Sequence, residues 1–542
     1  MPARPAGGES LWSPLRLPLY RSLWIAALAS NMGTWIQDVG AGWLMTSLSP
    51  SPLMVGLVQA ALTLPIFLFA LPAGALADVV DRRLVLLWTQ GLMAAAAAAL
   101  AALSWAGTAG PWTLLSLTFA LGVGMAFTAP AWQAIIPELV SPGDLVSALA
   151  LNGAGINMAR AVGPALGGAL VSAVGPHAAF ALNAVSFTGV LMVLARWRRP
   201  PRRAALPAER IVGAMAAGVR YVRHAPELRT VMLRSASFIF FGSALWALMP
   251  VVARFELGLA ATGYGALLGC LGAGAVAGAW LLPRLRRSLG LDALAGWSTG
   301  LFGLVLALVA VVREPAAMGA VMVMAGGAWI TLLTSFHMSA QAVLPSWVRG
   351  RGLAVYLLVF FGGMASGSAV WGAAAARSGV RPALLAASAG SLLALAVLAH
   401  RRLATGEGLD LAPSRHWPAP VLSAAAELER GPVLVTVAYE VAAQDEAEFI
   451  AAMLDLRRVR LRDGAVRWDL FEDQAVGGRF LETFLVESWA EHLRQHERLT
   501  VSDRGVEQRA RSFHRGAAPP LVTHYLAAPA RRRGGGPPSS PG

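Results

Sequence analysis

The 542 residues are 56% hydrophobic and only 14% charged, with a mean hydropathy of +0.58. An ordinary soluble protein carries about 25% charged residues, so this composition excludes one and points to a membrane protein. The formal charge of +14 comes entirely from arginine, because the sequence contains no lysine, which weakens any reading of it as a nucleic-acid footprint. The single cysteine, Cys270, excludes an intrachain disulfide and a redox pair.

A bilayer core of about 30 Å needs about 20 apolar residues per helix, and twelve such runs can be counted. After a segment at 1–19, six fall near 23–48, 53–77, 84–106, 112–132, 145–174 and 177–195, forming a first bundle over 20–198. On the first span Asn31, Thr34 and Asp38 follow helical spacing, and Asn157 and Arg160 do the same on the fifth. Charge at bilayer depth is costly and usually functional. Asp38 and Arg160 are therefore expected to couple protons, parting to let the acid take up a proton and re-pairing to expel it; a fixed ion pair that only joins two helices is the plainer alternative. Gly155, Ala159, Gly163 and Gly167 recur every four residues, and with Pro164 and Gly168 they predict a close helix-packing ridge.

A basic, proline-bearing connector at 199–228 contains an amphipathic helix. Six further runs follow, near 231–253, 264–282, 291–312, 316–338, 353–376 and 383–399, in a second bundle over 229–402. Thr331, Thr334 and Gln341 make a mild polar stripe on the tenth span, and with Asn31, Thr34 and Asn157 they are expected to line a substrate cavity. His337, one residue off that stripe, reads as a packing histidine. Trp35, Phe127, Phe240, Phe241 and Trp246 are candidates for an apolar wall. The two bundles repeat: WQAIIPELV (132–140) aligns with AQAVLPSWV (340–348), and GALADVVDRR (74–83) with GAWLLPRLRR (278–287). Two parallel halves about a vertical pseudo-twofold form a transporter plan.

Arg82, Arg83, the 196–203 cluster, Arg284, Arg286, Arg287, Arg349, Arg351, Arg401 and Arg402 fall on one side if the spans alternate. The positive-inside rule makes that side cytoplasmic. Both termini are then inside a multi-pass protein of the plasma membrane, with the first span as its signal anchor.

Gly74, Asp78, Arg82 and Arg83 resemble the signature of the major facilitator superfamily between its second and third helices, departing from it at Val79 and Asp81. The segments ALNGAGINMARAVGPALGG and PELVSPGDLVSALAL resemble the branch that holds enterobactin-type exporters and secretion effectors, and GPALGG resembles an antiporter signature. The resemblance implies gating roles for Gly74, Asp78, Arg82 and Arg83. Asp78 would latch onto the exposed amides at the start of the eleventh helix. It also implies an all-α polytopic fold of twelve spans working by alternating access.

Past a turn-rich linker at 403–430, residues 431–527 alternate in the order βαββαβ, a ferredoxin-like α+β arrangement. This domain resembles antibiotic-biosynthesis-monooxygenase modules, which implies pairing of two copies through their sheets. The helical stretch WAEHLRQHERLTVSDRGVEQRARSF carries His492 and His496 four apart, but with no third ligand evident in the sequence no metal site and no cofactor are expected. The tail 528–542 reads as disordered. The combined expectation is a proton-coupled exporter of a small amphipathic molecule such as a siderophore, drug or secondary metabolite. Its partners are substrate, protons and lipid, without nucleic acid, and the C-terminal domain is not expected to be catalytic. The alternative is a membrane-tethered enzyme with a monooxygenase-like domain, and an importer is a third reading.

Overall fold

The computed structural model describes residues 11–197, 211–414, 416, 417 and 430–528, leaving aside the side chains of 71, 75, 77–79 and 211–217. The side chain of Asp78, the basic cluster at 198–203 and the tail beyond Ala528 therefore lie outside the described residues. The helices are α1 (Pro18–Leu48), α2 (Pro52–Val79), α3 (Arg82–Trp105), α4 (Pro111–Leu139), α5 (Leu145–Ala173) and α6 (Pro176–Arg196), then α7 (Ile211–His224) in the connector. The second bundle holds α8 (Pro226–Val251), extended by a π-helical turn at Val252–Glu256, α9 (Ala261–Leu289), α10 (Leu291–Val311), α11 (Pro315–Ala342), α12 (Arg349–Ser378) and α13 (Val380–Leu398). Several start on proline, whose fixed φ and missing N–H suit a first helical position.

Among the described residues, eleven helices are long and apolar enough to cross a membrane. The remaining long helix, α1, has 31 residues and carries Asn31, Gln37 and Asp38; including it gives six spans per half.

The halves, α1–α6 and α8–α13, approach closely where side chains are absent. A Cβ on Gly168 of α5 would stand 2.6 Å from the Ala261 carbonyl oxygen and 2.7 Å from Gly265 Cα of α9, and one on Gly272 would stand 2.7 Å from Ala161 Cα. A Cβ on Gly56 of α2 would meet the Ser368 carbonyl of α12 at 2.7 Å. Gly155, Gly163 and Gly167 face α1 instead, against Trp24, Trp35 and Ile36, and Pro164 is buried. The ridge therefore joins two helices to α5 on adjacent faces.

Residues group into a second compact unit made of Gly213–Pro226, Val343–Gly352 and the described residues from Gly406 onward. Its C-terminal portion contains β1 (Val433–Glu440), α14 (Glu446–Asp463), β2 (Ala465–Glu472), β3 (Arg479–Val486), α15 (Trp489–Arg498), α16 (Val501–Ser512) and β4 (Leu521–Leu526). The sheet has the order β2-β3-β1-β4 with every pair antiparallel. Val433, Val435, Val437 and Tyr439 turn inward at alternate positions of β1 and pack on Phe449, Met453 and Leu456 of α14.

Three sequence expectations change here. The single helix expected after Ser488 is two, because Leu499 is extended and Thr500 starts a capping box with Asp503: Asp503 N donates to Thr500 Oγ1 at 3.2 Å and Thr500 N to Asp503 Oδ2 at 3.0 Å. Part of the 403–430 linker is packed, with Ser414 N bonded to the Leu499 carbonyl and Trp417 against the core. The unit that holds the C-terminal domain also takes in the connector helix and the α11–α12 segment, which sequence reading assigned elsewhere.

Replacing Gly168 with valine should force α5 and α9 apart and cost about 1–3 kcal/mol, the range for overpacking. Gly74, with nothing within 4 Å of a built Cβ, should accept alanine without loss. Thermal unfolding followed by fluorescence-detected size exclusion compares the two; equal midpoints would contradict the packing.

Candidate functional site

Asp38 lies on α1 about 15 Å of helical rise from its end, and Arg160 lies about 20 Å from the end of α5, at comparable depth. They form no ion pair. The Arg160 guanidinium sits 5.8 Å over the Trp35 ring, while Asp38 is partly buried and has no hydrogen-bond or salt-bridge partner among the described residues. Beside Asp38, the buried Gln37 accepts a hydrogen bond from Asn183 of α6 at 2.7 Å, a polar link inside the first half that sequence reading missed.

The other polar candidates are dispersed. Thr34 is partly buried and bonds back to the Ser30 carbonyl; Asn31 is partly buried, Asn157 exposed, Thr331 buried and Thr334 partly buried. Gln341 is exposed and its Nε2 lies 2.8 Å from His337 Nε2. His337 is thus partnered and its ring also meets Tyr356 of α12 at 6.0 Å, as expected of a satisfied packing histidine, although it is exposed. Of the aromatic candidates, Trp35 and Trp246 meet across the halves at 6.4 Å, and Trp246 continues to Trp329 at 5.6 Å. Phe127 instead packs with Phe69 and Trp88 in the first half, and Phe240 and Phe241 pack with Trp371 in the second.

At the ends that bear the arginine loops, side chains tie helices within each half. Arg82 bonds Glu138 at 2.7 Å and the Ala134 carbonyl at 3.2 Å, and Arg83 bonds the Leu194 and Ala195 carbonyls of α6. Asp81, where the family has glycine, accepts from Arg83 N at 2.8 Å and caps α3. In the second half, Arg234 pairs with Asp292 and also bonds the Arg401 carbonyl, while Leu403 N donates to Asp292 at 2.9 Å.

On the opposite side Arg254, in the π-helical turn after α8, reaches across to the end of α1. It donates to Thr46 Oγ1 at 3.0 Å and to Ser47 Oγ, and covers the Trp43 ring at 5.2 Å. Trp43 stacks on Tyr264 at 6.1 Å. The structure pairs Arg313 with Glu256 at 2.9 Å, uses Glu314 to cap α11, and leaves Arg254 to join the halves.

In the α+β domain, Glu482 is fully buried and accepts from Arg460, Trp468 and Tyr439. Burial opposes the charge of Arg460, but Glu482 and Glu507 outweigh it and hold the guanidinium charged. His492 and His496 share a face with Nε2 atoms 3.4 Å apart, and His524 of β4 lies beside His492. Among the described residues no group of three His, Cys, Asp or Glu is placed to hold a metal ion. Burial, reinforced by neighbouring histidines, pushes His492 down to about 3 and His496 to about 4.

Two six-helix halves, apposed along glycines and pinned at one end, define a secondary transporter of the major facilitator type. A family model described as transmembrane secretion effector matches residues 9–533, and the chain belongs to that family. It is 24% identical over 282 residues to the staphyloferrin A transporter of Staphylococcus aureus, covering 51% of this chain and 69% of that protein. It is 28% identical over 230 residues to the multidrug efflux pump Tap of Mycolicibacterium fortuitum, covering 41% and 54%; the chain thus spans about half the length of that pump. The fold is shared with a bacterial homologue of the lysosomal transporter Spinster in an inward-facing conformation, with a TM-score of 0.57 at 15% identity over 72% of this chain and 97% of that one. A bacterial homologue of ferroportin gives 0.54 at 18% identity over 71% and 98%.

Two outcomes follow. The folded values of His492 and His496 lie below the unfolded value of about 6.5, so the unfolded chain binds protons first as pH falls. Their contribution is complete above pH 6.5 and is lost as pH falls from there toward 4 and 3. Calorimetry of the full chain should show the α+β transition dropping by several degrees between pH 6.5 and 4, and dropping less in the His492→Asn/His496→Asn double variant. For the pin, Arg254→Ala should speed labelling of Thr34→Cys several-fold by an impermeant thiol reagent added on the Arg254 side, in a Cys270→Ala background; an unchanged rate would show that Arg254 does not hold that side closed.

Proposed function

We propose that the protein is a proton-coupled exporter of a small amphipathic molecule, working by alternating access in the plasma membrane. The observation that carries this reading is Asp38, a carboxylate at mid-span depth without an ion-pair partner among the described residues, while Arg160 at comparable depth lies over Trp35 instead. In this arrangement Asp38 is free to take up a proton, and approach of Arg160 in the opposite conformation expels it. The relatives named as the staphyloferrin A transporter and a multidrug efflux pump support transport of a small molecule, and the second supports export. Trp35 and Trp246, the latter backed by the buried Trp329, supply an aromatic surface for its apolar part, with Asn31, Thr34, Asn157, Thr331, Thr334 and Gln341 as candidate polar contacts.

The positive-inside rule places the arginine-rich loops, both termini and the α+β domain in the cytoplasm. Gly74, Asp78, Arg82 and Arg83 are read as gating residues at that mouth, with Asp78 as the latch. The strand order supports a ferredoxin-like assignment of the C-terminal domain. Its open sheet face, with Leu481, Leu521 and Tyr525 exposed, supports pairing of two copies.

Asp38→Asn mimics the protonated acid permanently. In proteoliposomes, pH-gradient-driven movement of a fluorescent amphipathic dye should fall at least tenfold while dye binding is retained. Transport at the wild-type rate would remove Asp38 from the coupling path.

A further inference from the structure

The face of the α+β domain formed by the end of α14 and by α15 grips two short segments that stand apart in sequence. Glu491 on α15 accepts from Arg220 of the connector helix α7 at 3.2 Å and from Arg498 on its own helix. Arg498 is 4% exposed, and its guanidinium donates to the Asp463 carbonyl at 2.7 Å and lies 4.6 Å over the ring of Trp347, in the α11–α12 segment. Arg462 of α14 lies 5.3 Å over Tyr221 of α7. The two gripped segments also touch each other: Tyr221 OH donates to the Val343 carbonyl at 3.3 Å, and the Tyr221 and Trp347 rings meet edge to face at 5.8 Å. Tyr221, Val343, Leu344 and Val348 are buried in this contact. Burial opposes the charge of Glu491, yet the guanidiniums of Arg498 and Arg220 outweigh it and hold the carboxyl below its ordinary range.

Both segments run directly into membrane helices. α7 ends at His224 and α8 starts at Pro226, while α12 starts at Arg349, two residues after Trp347. We propose that this face of the α+β domain is a docking surface for the chain's own connector helix and α11–α12 segment, a clip that makes the starts of α8 and α12 move together. A surface present only for packing would not need two cation–ring contacts, each with one buried partner, and a shared carboxylate on segments that the chain delivers from separate helices. The clip acts on the alternating-access cycle and so rests on the transporter reading, but the docking and the coupled movement are measurable without any substrate.

The test uses the full chain in nanodiscs. Glu491→Gln leaves Arg220 and Arg498 facing each other without the carboxylate between them. Hydrogen exchange at 218–224 and 343–348 should quicken about tenfold or more, while β1 and β3 keep their protection and report that the domain is folded. Spin labels at Pro142→Cys and Arg287→Cys in a Cys270→Ala background, one in each half on the arginine side, should show a shifted distance distribution in the same variant. Faster exchange with an unchanged distribution would overturn the coupling. Unchanged exchange in both Glu491→Gln and Tyr221→Ala would overturn the docking. If wild-type protein moves no dye while the distances shift with the clip, the transport reading fails and the clip stands.

Discussion

The helical unit depends on the approach of α5 to α9, backbone against backbone. Gly168 and Gly265 lie so close that each would drive a Cβ to within 2.7 Å of the other's Cα. In a bilayer the apolar side chains gain little by leaving lipid, so helices associate through close van der Waals contact and a few polar links. Contacts of that kind are numerous and shallow. They hold two large bodies together along a line while allowing them to rock, and the other inter-half contacts follow from where that line runs. Gly56 against α12 and Gly42 against Pro250 lie toward the same ends of their helices as Gly168 and Gly265. All of them are on the side away from the arginine loops, where Arg254 also crosses.

Much of the helical architecture was legible because a bilayer imposes a length and a polarity on each span. The run counts are consequences of that constraint, and the glycine spacing on α5 follows from the helical period where helices must pack closely. What was not legible is which neighbour each polar side chain meets. Asp38 and Arg160 have matching depth in sequence, but the rotation of α1 and α5 about their own axes puts Trp35 under the guanidinium. The Gln37–Asn183 bond was invisible for the same reason, since it joins residues 146 positions apart. Nothing near Arg254 in the sequence names its partners; only the end of α1, with Thr46, Ser47 and Trp43 presented together, shows what it binds.

The α+β domain failed differently. Alternation located its strands, and the strand order follows from the order of elements, but the break between α15 and α16 depended on reading Thr500 and Asp503 as a capping box inside an otherwise helical pattern. The amphipathic connector was recognised as a helix from its sequence, yet nothing local to it announces that Arg220 and Tyr221 will serve a domain more than two hundred residues away. Composition marks such a helix as half-buried without naming what buries it.

The distribution of arginine contacts separates what must stay rigid from what must move. The described ion pairs of the helical unit lie within one half: Arg82 with Glu138, Arg234 with Asp292 and Arg313 with Glu256. Arg82–Glu138 and Arg234–Asp292 each have one mostly buried partner, so breaking either leaves a poorly solvated charge at large cost, whereas Arg313–Glu256 is exposed and contributes little. Between the halves Arg254 meets hydroxyls and a ring, neutral acceptors from which a guanidinium can return to water at smaller cost. Two conformations that differ by a few kcal/mol can both be populated, which requires that the interactions exchanged between them be individually weak. Charge paired with charge inside each half, and charge on neutral groups between the halves, meets that requirement: the six-helix bodies keep their shape while the contacts that differ between conformations stay exchangeable.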